Sequence, residues 1–177
     1  MRDRVSDYLG QWREQRPELE LAPMSVTGRV SRASDLISQG MREFFAEHDL
    51  QPGEYDVLSA LRRAGDPFTL TPGALTGSMM VTAAAMTNRL SRLEEKGLVD
   101  RSTDPDNRRS VRVSLTPRGR AVIDDVAPRH VRAEGDLLAA LDDAELAQLA
   151  GLLEKLLAGL GDRSQHGDDD AGDGGTA

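Results

Sequence analysis

Thr87, Asn88, Ser91 and Arg92 put four hydrogen-bonding side chains within six consecutive positions. Asn offers the donor and acceptor that match an adenine edge, Arg reaches guanine or phosphate, and Thr and Ser bond to either. At ~100° per residue, with Met86 centred on a buried face, Leu90 and Leu93 fall within about 40° of it. Asn88, Ser91 and Arg92 then face the other way, with Thr87 at the edge of that outward side. A solvated helix face has the same pattern. The base-reading alternative gains weight from the polar turn Thr103-Asp104-Pro105-Asp106-Asn107-Arg108-Arg109-Ser110 further along the chain. It carries adjacent arginines between two strand-like segments. One of Arg108 and Arg109 is expected to brace the turn and the other to reach DNA.

Arg89 belongs to a different face. It lies about 60° from Met86, beside the buried stripe, where a guanidinium needs a partner or a wet pocket. Asp56 is the candidate partner. The pair reads either as a plain salt bridge between two parts of the chain or as a ligand-sensing group. Trp12 is the sole tryptophan. It reads as a core or dimer-interface residue, or as a stacking wall for a planar ligand.

These residues need elements to position them. Val5 to Arg16 reads as a short helix stopped by Pro17. A longer helix runs from Ala22 to about His48, with apolar positions at spacings near three and four. Pro52 opens a third helix, which Gly65-Asp66-Pro67 breaks. Phe68-Thr69-Leu70 reads as a short strand. Thr71-Pro72 is an N-cap followed by proline at the first helical position, and that brief helix is expected to end near Gly77. Val81 to Lys96 reads as a further helix with Gly97 as its stop. Leu98–Arg101 and Ser110–Leu115 read as a β-hairpin. Thr116-Pro117 opens another helix, and Leu137 to Leu160 is leucine-rich with helical spacing.

The formal net charge is -8. Globally this disfavours a nucleic-acid partner, because phosphate contacts supply most non-specific affinity. Distribution matters more. Residues 161–177 hold five aspartates and one arginine, half of the excess, whereas Thr82 to Arg109 holds six Lys or Arg against five Asp or Glu. A DNA-binding surface here is therefore local. The chain lacks cysteine, which removes disulfides, thiolate metal sites and a cysteine nucleophile, and fits a reducing cytoplasm. His48, His130 and His166 lack metal-ligand spacing. No nucleophile–base pair or phosphate loop supports an enzyme, and no cofactor is expected. No apolar run is long enough to span a bilayer, and the first residues lack a signal-peptide core. The expectation is a cytoplasmic protein with no membrane partner.

The stretches Asn88 to Val99, Asp104 to Arg109 and Val113-Ser114-Leu115-Thr116-Pro117-Arg118-Gly119 resemble the recognition helix, wing and exit helix of MarR-type regulators. The resemblance covers about residues 5 to 160. Asn107 stands where the family usually has Asp before its arginine pair. Gln11-Trp12-Arg13, Glu54-Tyr55-Asp56-Val57-Leu58, Phe68-Thr69-Leu70-Thr71-Pro72 and Met86-Thr87-Asn88-Arg89-Leu90 resemble the urate-responsive, PecS-like branch of that family. Met79 to Ala85 is more alanine-rich than that branch. The resemblance implies a ligand site at Trp12, Asp56, Arg89 and Arg101, and DNA contacts from Thr87, Asn88, Ser91, Arg92, Arg108 and Arg109.

The expected fold is mainly α with a small β wing: a winged helix-turn-helix, dimerised through its N- and C-terminal helices. Residues 1–160 form the regulator. Its DNA-binding lobe is placed at about 52–116 and its dimerisation helices at about 5–48 and 117–160, with 161–177 an acidic disordered tail. The expected function is a homodimeric repressor released from a palindromic operator on double-stranded DNA by a small anionic metabolite, urate-like or a tricarboxylate such as aconitate or citrate. The alternative is a helical interaction module whose winged lobe binds a protein.

Overall fold

A computed structural model describes residues 2–79, 81–103, 107 and 110–162. The chain forms two compact units, 1–137 and 138–177.

The first unit opens with α1 (Arg4–Gln15). Its N-cap, Asp3, accepts the Ser6 amide and hydroxyl at 2.8 and 2.7 Å. Those bonds, with Arg29 at 2.8 Å, hold the exposed Asp3 carboxyl down at about 2. α1 packs on α2 (Ala22–Glu47), where Val5, Leu9 and Leu21 make a small core of their own. α3 (Pro52–Arg63) follows, with proline at its start as the sequence predicts. Its apolar face buries Tyr55, Val57, Leu58 and Leu61 in the main core.

β1 (Thr69–Leu70) leads to α4 (Pro72–Met79), capped where Thr71 Oγ1 accepts the Ala74 amide at 3.1 Å. α4 runs past Gly77, where the sequence suggested a stop. α5 (Ala83–Glu95) begins two residues later than expected, because Thr82 is its N-cap and accepts the Ala85 amide. Gly97, at φ 66°, turns the chain out of it. β2 (Val99–Thr103) and β3 (Val111–Leu115) form the expected hairpin. β1 adds to the outer edge of β3, giving the antiparallel order β1-β3-β2.

α6 (Pro117–Leu137) closes the unit. It is tied to α3 by a surface cluster in which the Phe68 ring lies 5.1 Å from the Arg62 guanidinium and 4.7 Å from that of Arg120. Asp124 accepts from Arg62 at 2.6 Å. The leucine-rich stretch from Leu137 is not one helix, which corrects the sequence reading. α6 ends at Leu137, and the second unit contains α7 (Asp143–Gly159) with its own capping box. Asp142 accepts the Glu145 amide at 2.9 Å, and Glu145 accepts the Asp142 amide at 3.0 Å.

The exit from the hairpin is tightly built. Thr116 donates its hydroxyl to the Gly97 carbonyl at 2.8 Å, and the same oxygen accepts the Gly119 amide at 2.9 Å. A Cβ at Gly119 would lie 1.9 Å from the Leu98 carbonyl oxygen. That oxygen is itself held by the Thr116 amide at 3.1 Å, so backbone must move. Gly119→Ala is expected to destabilise the protein by about 2–3 kcal/mol, read by chemical denaturation. A midpoint equal to wild type would mean that this junction is slack.

Candidate DNA interface and the neighbouring clefts

α4 and α5 are consecutive helices joined by a short turn, and β2–β3 comes directly after them. This is the order of a winged helix-turn-helix, in which the second helix enters the major groove. α5 buries Met86, Leu90 and Leu93, the stripe predicted from periodicity. Each such side chain contributes about 2 kcal/mol to docking the helix. Thr87, Asn88 and Arg92 are exposed on its other side. The Thr87 hydroxyl donates to the Ala83 carbonyl at 2.9 Å, which leaves its oxygen lone pairs and methyl outward. Arg92 spends one N–H on Gln51 Oε1 at 2.7 Å. Ser91 differs from expectation. It is only partly exposed, and its hydroxyl accepts from Arg101 Nη2 at 2.9 Å. Arg108 and Arg109 lie outside the described residues.

The anchor of α5 is a buried carboxylate. Glu54, 2% exposed, accepts Lys96 Nζ at 3.0 Å and the Gln51 amide at 3.0 Å, both through Oε2. Lys96 also donates to the Asp49 carbonyl and lies 3.5 Å from the Asp49 carboxylate. The C-terminal end of α5 is thereby bolted to the first turn of α3. The pair is absent from the expectations drawn on sequence, although half of its signal was there. Glu54 is the third residue of a helix opened by Pro52, where a glutamate reaches back to the cap.

Arg89 is half-buried, as its angle predicted. Its guanidinium lies across α3 at Gly53, with Nη1 4.0 Å from Met79 Sδ. Among the described residues it has no carboxylate at ion-pair distance. Asp56 is near enough for Arg89, Arg63 and His130 to favour its charged form. Desolvation outweighs them and raises the Asp56 pKa. Asp56 lines a cleft of about 360 Å³ with Tyr55, Ser59, Arg63, Met79 and His130. His130 is stacked on Phe45 at 5.3 Å, and its Nδ1 lies 3.2 Å from the Tyr55 hydroxyl.

Arg101 does not join that cleft. It stands on β2 and faces α5, with Nε 3.2 Å from Glu94 Oε2 but not aligned for a hydrogen bond. It lines a second cleft of about 350 Å³ with Pro72, Thr87, Leu90 and Val111. Trp12 is 41% exposed on α1 and lines neither cleft. Of the four expected ligand residues, the single chain brings Arg89 towards Asp56 and leaves Trp12 and Arg101 apart. Among the described residues, no group of three His, Cys, Asp or Glu could hold a metal ion. No described helix is long and apolar enough to cross a membrane.

Fold and surface define a winged helix-turn-helix DNA-binding protein. Comparisons with known proteins agree. The family model MarR matches residues 50–111. HTH-type transcriptional regulator PecS of Dickeya dadantii is 38% identical over 152 residues, covering 86% of this chain and 92% of that protein. A mutant MarR from E. coli, solved in complex with operator DNA, superposes with a TM-score of 0.65 at 27% identity. The match covers 82% of this chain and 97% of that one. Bordetella bronchiseptica BpsR, whose DNA binding is described as regulated by 6-hydroxynicotinic acid, gives a TM-score of 0.65 at 26% identity. That match covers 74% of this chain and 91% of BpsR. The chain belongs to the MarR family and is a DNA-binding transcriptional regulator, a class of protein distinct from enzymes.

The Glu54–Lys96 pair and the Asp56 carboxyl can each be tested by substitution. Lys96→Met leaves Glu54 buried without its counter-charge. It should lower stability by about 3 kcal/mol, the low end for a broken buried pair because Lys96 is partly exposed. Denaturant titration reads this, and a loss below about 1 kcal/mol would show that Glu54 rehydrates freely. For Asp56 the raised pKa means that burial disfavours the carboxylate. Its stabilising contribution is present at acid pH and lost as pH rises through the raised value. Asp56→Asn should therefore melt above wild type at pH 7, with the gap closing below the ordinary aspartate range. Lower melting of the variant at pH 7 would mean that the charges of Arg89 and Arg63 outweigh desolvation.

Proposed function

We propose that this regulator is a cytoplasmic homodimeric repressor, released from a palindromic operator by a small anionic metabolite. Residues 1–160 then divide into a DNA-binding lobe at about 52–116 and dimerisation helices at about 5–48 and 117–160, with 161–177 as an acidic tail. Support for a dimer comes from exposed apolar side chains, among them Val26, Val30 and Ile37 on α2 and Leu149, Leu152 and Leu156 on α7. Thr87, Asn88 and Arg92 face the major groove, Ser91 stands beside them holding Arg101, and Arg108 and Arg109 serve the wing. Half-sites of a two-fold dimer then lie about ten base pairs apart, or a multiple of that.

The observation that carries the ligand reading is the position of Arg89. It belongs to the recognition helix yet leans on α3, and the cleft at its side holds Asp56 and Arg63. An anion that competes for this guanidinium acts on α5 directly, through charge-assisted bonds of the stronger kind. Arg101 extends the same logic, because it holds β2 to α5 through Ser91. Trp12 supplies either a stacking wall or packing. Urate is the first candidate and a tricarboxylate the second. The regulation described for BpsR by a planar, anionic heterocycle supports that class. The ligand must bind the two positions of the lobe with different affinities, since equal affinity shifts nothing.

The test uses a preformed complex of the protein with the promoter DNA beside its own gene. Urate and, separately, citrate are titrated against wild type, Arg89→Ala and Asp56→Asn. Arg89→Ala should blunt the release more than it weakens DNA binding, and Asp56→Asn should weaken DNA binding even without ligand. Equal release in all three proteins removes this site. In the same assay Arg108→Ala should weaken binding across sequences, whereas Asn88→Ala should alter base preference. If neither change has an effect, the DNA face has been misplaced.

A further inference from the structure

Gly53 has an unusual neighbour. It is the second residue of α3 and lacks the positive φ that would demand glycine. Alanine would ordinarily favour the helix there. A Cβ at Gly53 would nevertheless lie 2.5 Å from both Cζ and Nε of Arg89, and 2.9 Å from Nη2. No other neighbouring atom comes as close. The missing side chain is thus the space in which the Arg89 guanidinium lies.

We infer that Gly53 is a positioning residue for DNA recognition: its bare backbone is the seat that lets Arg89 set α5 against α3. The inference rests on the reading of α5 as the base-reading helix. Other features of the contact agree with a seat rather than an ion pair. Met79 Sδ lies at 4.0 Å from Arg89, and a thioether is a weak acceptor. The start of a helix carries positive partial charge, which does not attract a guanidinium. Asp56, one turn along the same face of α3, supplies attraction without direct contact. Shape therefore holds Arg89 more than charge does, so the contact can be released at little cost. The C-terminal end of α5 is bolted by Lys96 to Glu54 in the same first turn of α3. With Lys96 as pivot, the Gly53 seat sets the angle of the helix. A Cβ at this position displaces only the far end of a flexible side chain, so the fold is retained while α5 loses its stop.

The test is a double-mutant cycle on the full chain with Gly53→Ala, Arg89→Ala and the pair. The probe is a duplex enriched from random-sequence DNA by the wild-type protein. Gly53→Ala should weaken binding about tenfold in the wild-type background and have almost no effect in the Arg89→Ala background. Its melting temperature should equal or exceed that of wild type. The Arg89 Nε–H resonance, assigned by its loss in Arg89→Ala, should move in Gly53→Ala, and that measurement needs no DNA. Equal losses in both backgrounds, unchanged affinity in the wild-type background, an unmoved Nε–H resonance, or a lowered melting temperature would each overturn the inference. Failure of the wild-type protein to enrich any duplex would instead remove the DNA-binding reading of α5, with the Nε–H measurement still deciding whether the seat exists.

Discussion

The DNA-facing geometry of this protein depends on a carboxylate that water barely reaches. Glu54 completes the first turn of α3 and neutralises Lys96 at the end of α5. Such a pair adds little net stability over an apolar one, because desolvating two ions offsets their attraction. What it supplies is register. An apolar contact between α3 and α5 tolerates sliding, whereas a buried charge tolerates only the arrangement that pairs it. The outward residues of α5, Thr87, Asn88 and Arg92, inherit that register, since they stand on the same helix that Lys96 caps.

The arginines extend the same scheme. Arg92 reaches Gln51 at the cap of α3, Arg89 lies over Gly53 one turn from Asp56, and Arg101 grips Ser91 from the hairpin. Arg92, the one of the three on the outward side of α5, therefore has a structural partner before DNA arrives. This suits a chain whose overall charge is negative. A strongly acidic protein cannot rely on long-range attraction to phosphate and needs its few local cations held in place. Side chains fixed in advance lose less rotamer freedom on binding, which raises the affinity obtained from each contact.

The hairpin is joined to the helical part through a close backbone crossing. Thr116 satisfies Gly97 on one side and Gly119 on the other, and Gly119 approaches Leu98 too closely for any side chain. Both strands of the wing thus leave from one hydrogen-bonded junction at the end of α5. That junction and Arg101 are the contacts that tie α5 to the two wing strands. The Asp56 cleft is bounded by α3, the end of α4 and His130 of α6, so an occupant there touches the support of α5 rather than its exposed face.

Much of this was legible in the residues. The apolar stripe Met86, Leu90 and Leu93, the Thr–Pro helix starts and the turn-separated alternating segments all report local physics, in which side-chain period and backbone preference act over a few residues. They were enough to define a winged helix-turn-helix and to place Arg89 beside the stripe. The break between Leu137 and Asp143 was also present, as an Asp-x-x-Glu capping box, but the uninterrupted run of leucines masked it. Other features could not be read this way. That Lys96 pairs with Glu54, that Ser91 turns to Arg101, and that Arg89 needs Gly53 all depend on how α5 lies on α3 and on the hairpin. Periodicity gives the face on which a residue stands; only the packed structure decides which atom of a distant element meets it.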